Sequence, residues 1–211
     1  KGLSADAISK TKGVITALFQ SAVDNRFIAF SPATGLIKPS GPTGTHRALT
    51  DEEINIIVAT APGHRFGVAA MLMLFAGLRR GEAADFHSRD VNLKAGTITV
   101  NRAVSYVVNQ GAIKKPKSDA GARTIPIMPP LLPFLEGLEG FAISRKGDAP
   151  ISVTALKNAF NSFLIACELK LNNHPSRQRP TDRTNWRTFK IRSHDLRHTY
   201  ATFLYDAGVD I

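Results

Sequence analysis

A single cysteine, Cys167, in a chain of 211 residues leaves no internal disulfide framework. That fits a reducing, cytoplasmic compartment, and the thiol is expected to pack inside a helix. No apolar run is long enough to cross a bilayer; the longest, Phe66 to Leu78, falls short, and no signal peptide precedes it. The sequence has no G-x-x-x-x-G-K-[ST] loop for nucleotides and no acidic cluster suited to two-metal phosphodiester chemistry. Repeats and heptads are missing too. Negative charge is scarce: 17 Asp and Glu stand against 27 Lys and Arg, giving a formal charge of +10 and a pI near 10.0. A balance of that sign suits a polyanionic partner, and with no membrane segment that partner is expected to be nucleic acid.

What is present divides in two. Ser4 to Asn25 carries helical periodicity through Ile8, Val14, Ile15, Leu18, Phe19 and Val23. "SPATGLIKPSGPTGTHR" then reads as an extended linker, with a domain boundary near Gly44. One or two helices cannot bury a core, so residues 1–44 are expected to be the end of a helical domain, and residues 45–211 a second, α+β and mainly helical domain. Because the first residue is Lys1 and Ile211 interrupts a continuing pattern, the chain is expected to be a piece of a longer protein. Thr50 opens "LTDEEINIIVATA" as an N-cap. The segment from Arg65 to Ala76 is apolar nearly all round, as in a helix buried in mid-domain, and Gly77 ends it. "GTITV" and "RTIPI", with "AVSYVV" as the third strand, predict a small antiparallel three-stranded sheet. "VTALKNAFNSFLIACEL" returns to helical spacing, and the basic, turn-rich "NHPSRQRPTDRTNWRTFKIR" leads into the last helix.

That helix opens "SHDLRHTYAT", with Ser193 expected as N-cap and Asp195 in the first turn. Leu196, Tyr200, Phe203 and Leu204 form its apolar stripe. His194, Arg197 and His198 lie off that stripe, three and four positions apart, where they can converge before the helix N-terminus. A helix N-terminus with an added guanidinium and imidazole suits phosphate. The i, i+4 histidines also invite comparison with H-E-x-x-H zinc sites, but the residue after His194 is Asp195, not Glu, and no third ligand follows. A merely solvated basic face is the other reading of this stretch taken alone.

Two further stretches supply cations where the backbone is well controlled. In "AGLRRGE", Arg79 follows the helix-ending Gly77, and Glu82 is placed to hold a guanidinium in one orientation. In "KKPKSDAGARTIPI", Pro116 and Gly121 frame Lys117 on an expected hairpin, with Lys115 as the alternative register. Two arginines, a lysine and a histidine suit a phosphodiester passing through a pentacoordinate, doubly charged transition state. Arginines fork onto its non-bridging oxygens, a lysine can protonate a departing alkoxide, and histidine can carry a proton near neutral pH. Such a site calls for no metal and no cofactor.

In this order, "AGLRRGE", "PKSDAGARTIPI" and "HDLRHTYAT" resemble the three successive boxes of the tyrosine recombinases, or phage integrases. "LFQSAVDNRFIAFSPATGL" is similar to the end of that family's helical core-binding domain. The resemblance implies that Arg79 and Arg197 are the two catalytic arginines, His194 the histidine of the H-x-x-R box, and Lys117 the lysine that protonates the leaving 5′ oxygen. Glu82 and His198 take supporting roles. It also implies double-stranded DNA as partner, a parent protein assembling as a homo-tetramer on DNA, and strand exchange through a 3′-phosphotyrosyl link. The family's nucleophilic tyrosine follows the H-x-x-R box at a spacing that neither Tyr200 nor Tyr205 meets, and Tyr106 reads as a strand residue. The chain alone is therefore expected to be monomeric, to bind phosphate and not to cleave. A DNA-binding protein that keeps this scaffold without catalysis is the alternative.

Overall fold

The computed structural model describes residues 5–37, 47–107, 110–114, 122–143, 151–171 and 189–209. The chain divides into two compact units, Lys1–His46 and Arg47–Ile211. In the first, helix α1 (Ala5–Asp24) buries none of its residues, and Val14 and Leu18 are largely exposed. An amphipathic helix whose stripe stays exposed draws little stability from packing.

The second unit holds the core. Helix α2 (Asp51–Thr60) starts where the sequence predicts: the Thr50 hydroxyl accepts from the Glu53 N–H, and Glu53 returns the bond to the Thr50 N–H at 2.9 Å. This reciprocal cap leaves two fewer orphan donors at the helix end. Helix α3 (Gly67–Phe75) is buried on nearly every side, which explains its lack of a polar face. Gly77 ends the run with φ +61, a conformation that costs little only without a Cβ. Helix α4 (Arg80–Asp85) and a 3₁₀ turn, Ser88–Asp90, follow.

Strands β1 (Val91–Asn92), β2 (Thr97–Val100) and β5 (Arg123–Pro126) form a three-stranded antiparallel sheet in the order β1-β2-β5. Ile98 pairs with Ile125 and faces the core, while Thr99 and Thr124 face outward, the period of two expected of a half-buried sheet. The expected third strand is corrected. Residues of "AVSYVV" form β3 (Ala103–Val107), which pairs with β4 (Gln110–Lys114) in a separate hairpin, and Val91–Asn92 takes its place beside β2. Asn101 and Arg102 break the run between β2 and β3, and alternation alone does not say which neighbour a strand pairs with. Beyond β5 come a 3₁₀ turn, Pro129–Leu131, and the short helix α5 (Leu132–Leu135).

Helix α6 (Val153–Leu171) carries Cys167, fully buried, with its thiol pushed up to about 12 by burial. Such a group packs and does not react. Helix α7 (Ser193–Asp206) lies against α3. Its N-cap is Arg192, one residue earlier than expected: the Asp195 carboxylate accepts the Arg192 N–H at 2.7 Å, so a reach-back from the third helical position does the work assigned to the Ser193 hydroxyl. Leu196 is fully buried, a contribution of roughly 1.5–3 kcal/mol. Thr199 donates to the Asp195 carbonyl and accepts the Leu49 N–H, both at 2.9 Å or less, which ties the start of this unit to α7. Residues 38–46, 115–121 and 172–188 lie outside the described residues, and with them most of the linker, both candidate lysines and the basic stretch before α7.

Candidate active site

The site is built on the turn between α3 and α4. Gly77 lets the chain reverse there, and Arg79 caps α4 in an extended conformation, with its side chain 60% exposed. Three residues on, Glu82 is only 7% exposed and accepts the Arg79 N–H at 2.7 Å and Arg79 Nη1 at 3.0 Å. The acid thus fixes both the backbone and the guanidinium of the residue that precedes its helix. Gly81 makes the close packing of this helix possible: a Cβ there would come within 2.9 Å of the Val104 carbonyl in β3.

Arg197 reaches the same turn from α7. Its Nη1 donates to the carbonyl oxygen of Gly77, and its neighbours in charge are Arg79, Glu82 and Arg123. Burial lowers its pKa, and repulsion from Arg79 lowers it further, against the attraction of Glu82. Two guanidinium groups from distant parts of the sequence therefore meet around one buried carboxylate. Helix α7 is held to the turn at a second point, the ring of Tyr200, which occupies the space a Cβ on Gly77 would need; the nearest ring atom would lie 2.3 Å away.

His194 and His198 stack edge to face on the first turns of α7, ring centroids 4.7 Å apart. Among the described residues, no group of three or more His, Cys, Asp or Glu side chains is placed to hold a metal ion. Of the residues predicted for the site, Arg79, Glu82 and Arg197 come together, His194 and His198 pair with each other on the first turns of α7, and Lys117 lies outside the described residues.

Sequence reasoning missed two arginines. Arg123, at the start of β5, donates to both oxygens of Glu82, at 3.1 and 2.8 Å. Burial opposes the charge on Glu82, but the bonds from Arg123 and the Arg79 N–H outweigh it and hold the carboxyl below the usual range. The available signal was parity: Arg123 shares the inward face of its strand with Ile125. Arg102, between β2 and β3, bridges Asp85 at 3.0 Å and Asp90 at 2.8 Å, behind α4. No local pattern links those three.

A family model described as the phage integrase family matches residues 47–211. The chain belongs to the phage integrase family. Those residues are a tyrosine recombinase catalytic domain, and the fold is the α+β, mainly helical one expected. Over its full length this integrase-family chain is 25% identical to a XerC-like tyrosine recombinase of Caldanaerobacter subterraneus subsp. tengcongensis, and spans 58% of that protein. It is 24% identical to the tyrosine recombinase XerA of Pyrococcus furiosus, again over its full length, and spans 64% of it. The chain thus spans about three-fifths of the length of these relatives. In fold it is similar to the Tn1549 transposon integrase, solved in complex with a circular intermediate DNA, with a TM-score of 0.75 at 19% identity, covering 99% of this chain and 69% of that one.

Proposed function

We propose that the protein is a site-specific DNA recombinase of integrase type, which cuts and rejoins strands of double-stranded DNA by transesterification. A tyrosine hydroxyl attacks the phosphodiester, the phosphorus stays linked to that tyrosine through the 3′ phosphate, and the 5′ oxygen leaves with a proton. A partner strand's 5′ hydroxyl reverses the step, so phosphodiester energy is kept in the link and no ATP is consumed. In this reading Arg79 and Arg197 bind the non-bridging oxygens, Lys117 protonates the leaving oxygen, His194 exchanges a proton near the phosphate, and Glu82 and His198 support them. Guanidinium groups supply the charge stabilisation, so the chemistry uses no metal and no cofactor. Residues 1–44 are read as the end of a helical DNA-binding domain, and 45–211 as catalytic-domain sequence. The working assembly is a homo-tetramer on DNA in the cytoplasm. Neither Tyr200 nor Tyr205 is assigned the nucleophile's part.

The observation that carries the reading is the meeting of Arg197 with the Gly77–Arg79 turn around buried Glu82. Binding to DNA needs positive charge, but not two guanidinium groups brought to one turn beside a buried carboxylate. The test is covalent trapping on a nicked duplex with the full-length protein. Wild type is expected to form a protein–DNA adduct, and Arg197→Ala to lose it while DNA affinity stays within a few-fold. A wild-type protein that binds the duplex but never forms the adduct would instead be a non-catalytic binder on this scaffold.

A further inference from the structure

We propose that Arg123 is a positioning residue of this site: by forking onto Glu82 it satisfies the buried carboxylate, leaving the guanidinium groups of Arg79 and Arg197 to the substrate phosphate. The inference rests on the recombinase reading. Glu82 accepts four hydrogen bonds: from the Arg79 N–H, Arg79 Nη1, Arg123 Nη1 and Arg123 Nη2. A carboxylate offers about four lone-pair sites, so this one is full. Half of its bonds come from Arg123, in the two-pronged geometry that fixes the plane of a carboxylate as a single contact cannot.

Charge makes the arrangement consequential. Arg79, Arg123 and Arg197 surround one carboxylate, three positive charges against one negative, and both Arg79 and Arg123 repel Arg197. An arriving phosphodiester relieves that excess. Without Arg123 the local excess shrinks, and Glu82 is left buried with two unfilled acceptor sites beside Arg79 and Arg197. It would then compete with the phosphate for their N–H groups, because an unsatisfied buried carboxylate is costly. The strand explains how Arg123 comes to be there. Its inward neighbour Ile125 is in the core opposite Ile98, and Arg123, opposite Val100, sits at the end of the same face, 26% exposed, where the core gives way to the site.

The test measures single-turnover cleavage of saturating nicked DNA by the full-length protein, with melting temperature and DNA affinity measured on each variant. Arg123→Met should slow cleavage about 10- to 100-fold, the size of loss found when a partner that orients a metal ligand is removed and taken here for an oriented guanidinium, with affinity changed only a few-fold. Adding Glu82→Gln should recover several-fold of that rate, because it removes the carboxylate charge that Arg123 had balanced; a role confined to folding predicts no recovery. Arg123→Lys keeps the charge without the fork and should cleave more slowly than wild type at a similar melting temperature, which keeps the question answerable if the methionine variant does not fold. Wild-type rates in Arg123→Lys and Arg123→Met, or a double variant no faster than Arg123→Met, would overturn the inference while leaving the recombinase reading intact. Failure of wild type itself to form the adduct would overturn that reading, and this inference with it.

Discussion

Arg197 of α7 donates through Nη1 to the backbone carbonyl of Gly77, and three residues along the same helix Tyr200 lays its ring where a Gly77 side chain would stand. A polar and an apolar contact thus pin α7 to the turn that presents Arg79. The geometry works only because residue 77 has no Cβ and can hold φ +61.

Gly77→Ala is therefore expected to cost about 2–4 kcal/mol in a urea titration: roughly 1–2 for the left-handed backbone and the rest for displacing the ring. Gly208→Ala is the control. Its φ is +72 but nothing lies within 4 Å of an added Cβ, so it should cost only the backbone share, about 1–2 kcal/mol. Equal losses for the two variants would mean that the ring of Tyr200 yields without resistance.

Arg102 is expected to matter for stability out of proportion to its place on a strand connection. It is the shared partner of Asp85 and Asp90, both nearly inaccessible, and its removal leaves two like charges buried together. Arg102→Ala should destabilise by about 2–3 kcal/mol at pH 7, below the 3–5 typical of a fully buried pair because the arginine is partly exposed. The pH dependence follows from Asp85, whose carboxyl is raised above its usual range, first by burial and against the bonds from Arg102. A group with a raised folded pKa disfavours folding while ionised, and that penalty lifts as pH falls through the folded pKa. The Arg102→Ala deficit should therefore shrink on acidification, and Asp85→Asn in the same background should recover part of it at pH 7.

The elements legible in the sequence were those whose cause is local. Thr50 marked the start of α2, the unbroken apolar run marked α3 as buried, and Gly77 marked its end. Arg79, Glu82 and Arg197 could be singled out because each sits beside a helix boundary, where the backbone says how the side chain must leave. Parity puts Arg123 on the inward face of its strand, but its role and that of Arg102 depend on which strands pair and on what lies behind α4, contacts between residues 41 and 17 positions apart. The same ignorance of pairing misplaced the third strand. Residue type points to Ser193 as N-cap, but the cap is set by the carboxylate three residues into the helix, which accepts the backbone N–H of Arg192.

At the N-terminus of α2, Thr50→Ala should cost about 1 kcal/mol, the usual loss for a side-chain cap. Glu53 should contribute in a pH-dependent way. Hydrogen bonds from Arg47 hold its carboxyl below the usual range, against burial and with help from Thr50. A depressed folded pKa means stability that is fully present above the unfolded value and lost as pH falls through the folded one. The difference between wild type and Glu53→Gln should thus be largest near neutral pH and vanish in acid. A difference independent of pH would assign the effect to the exchange of a carboxylate oxygen for an amide nitrogen as hydrogen-bond partner instead of to charge.

Salt dependence separates arginines that meet the DNA backbone from those that serve the fold. Under the recombinase reading, DNA affinity should fall steeply with salt, because each phosphate neutralised releases condensed counterion, with a slope in log–log form of about 0.9 per contact. Arg79 is largely exposed and gives Glu82 only one side-chain bond, so its charge is available to a phosphate. Arg79→Ala should lower the slope by about one. Arg102 carries the same charge, but two carboxylates already take it, and its guanidinium faces α4 and the 3₁₀ turn. An Arg102→Ala variant that remains folded should keep the wild-type slope. If the two substitutions change the slope equally, the response reports net charge alone, and the site around Glu82 has no privileged contact with the backbone.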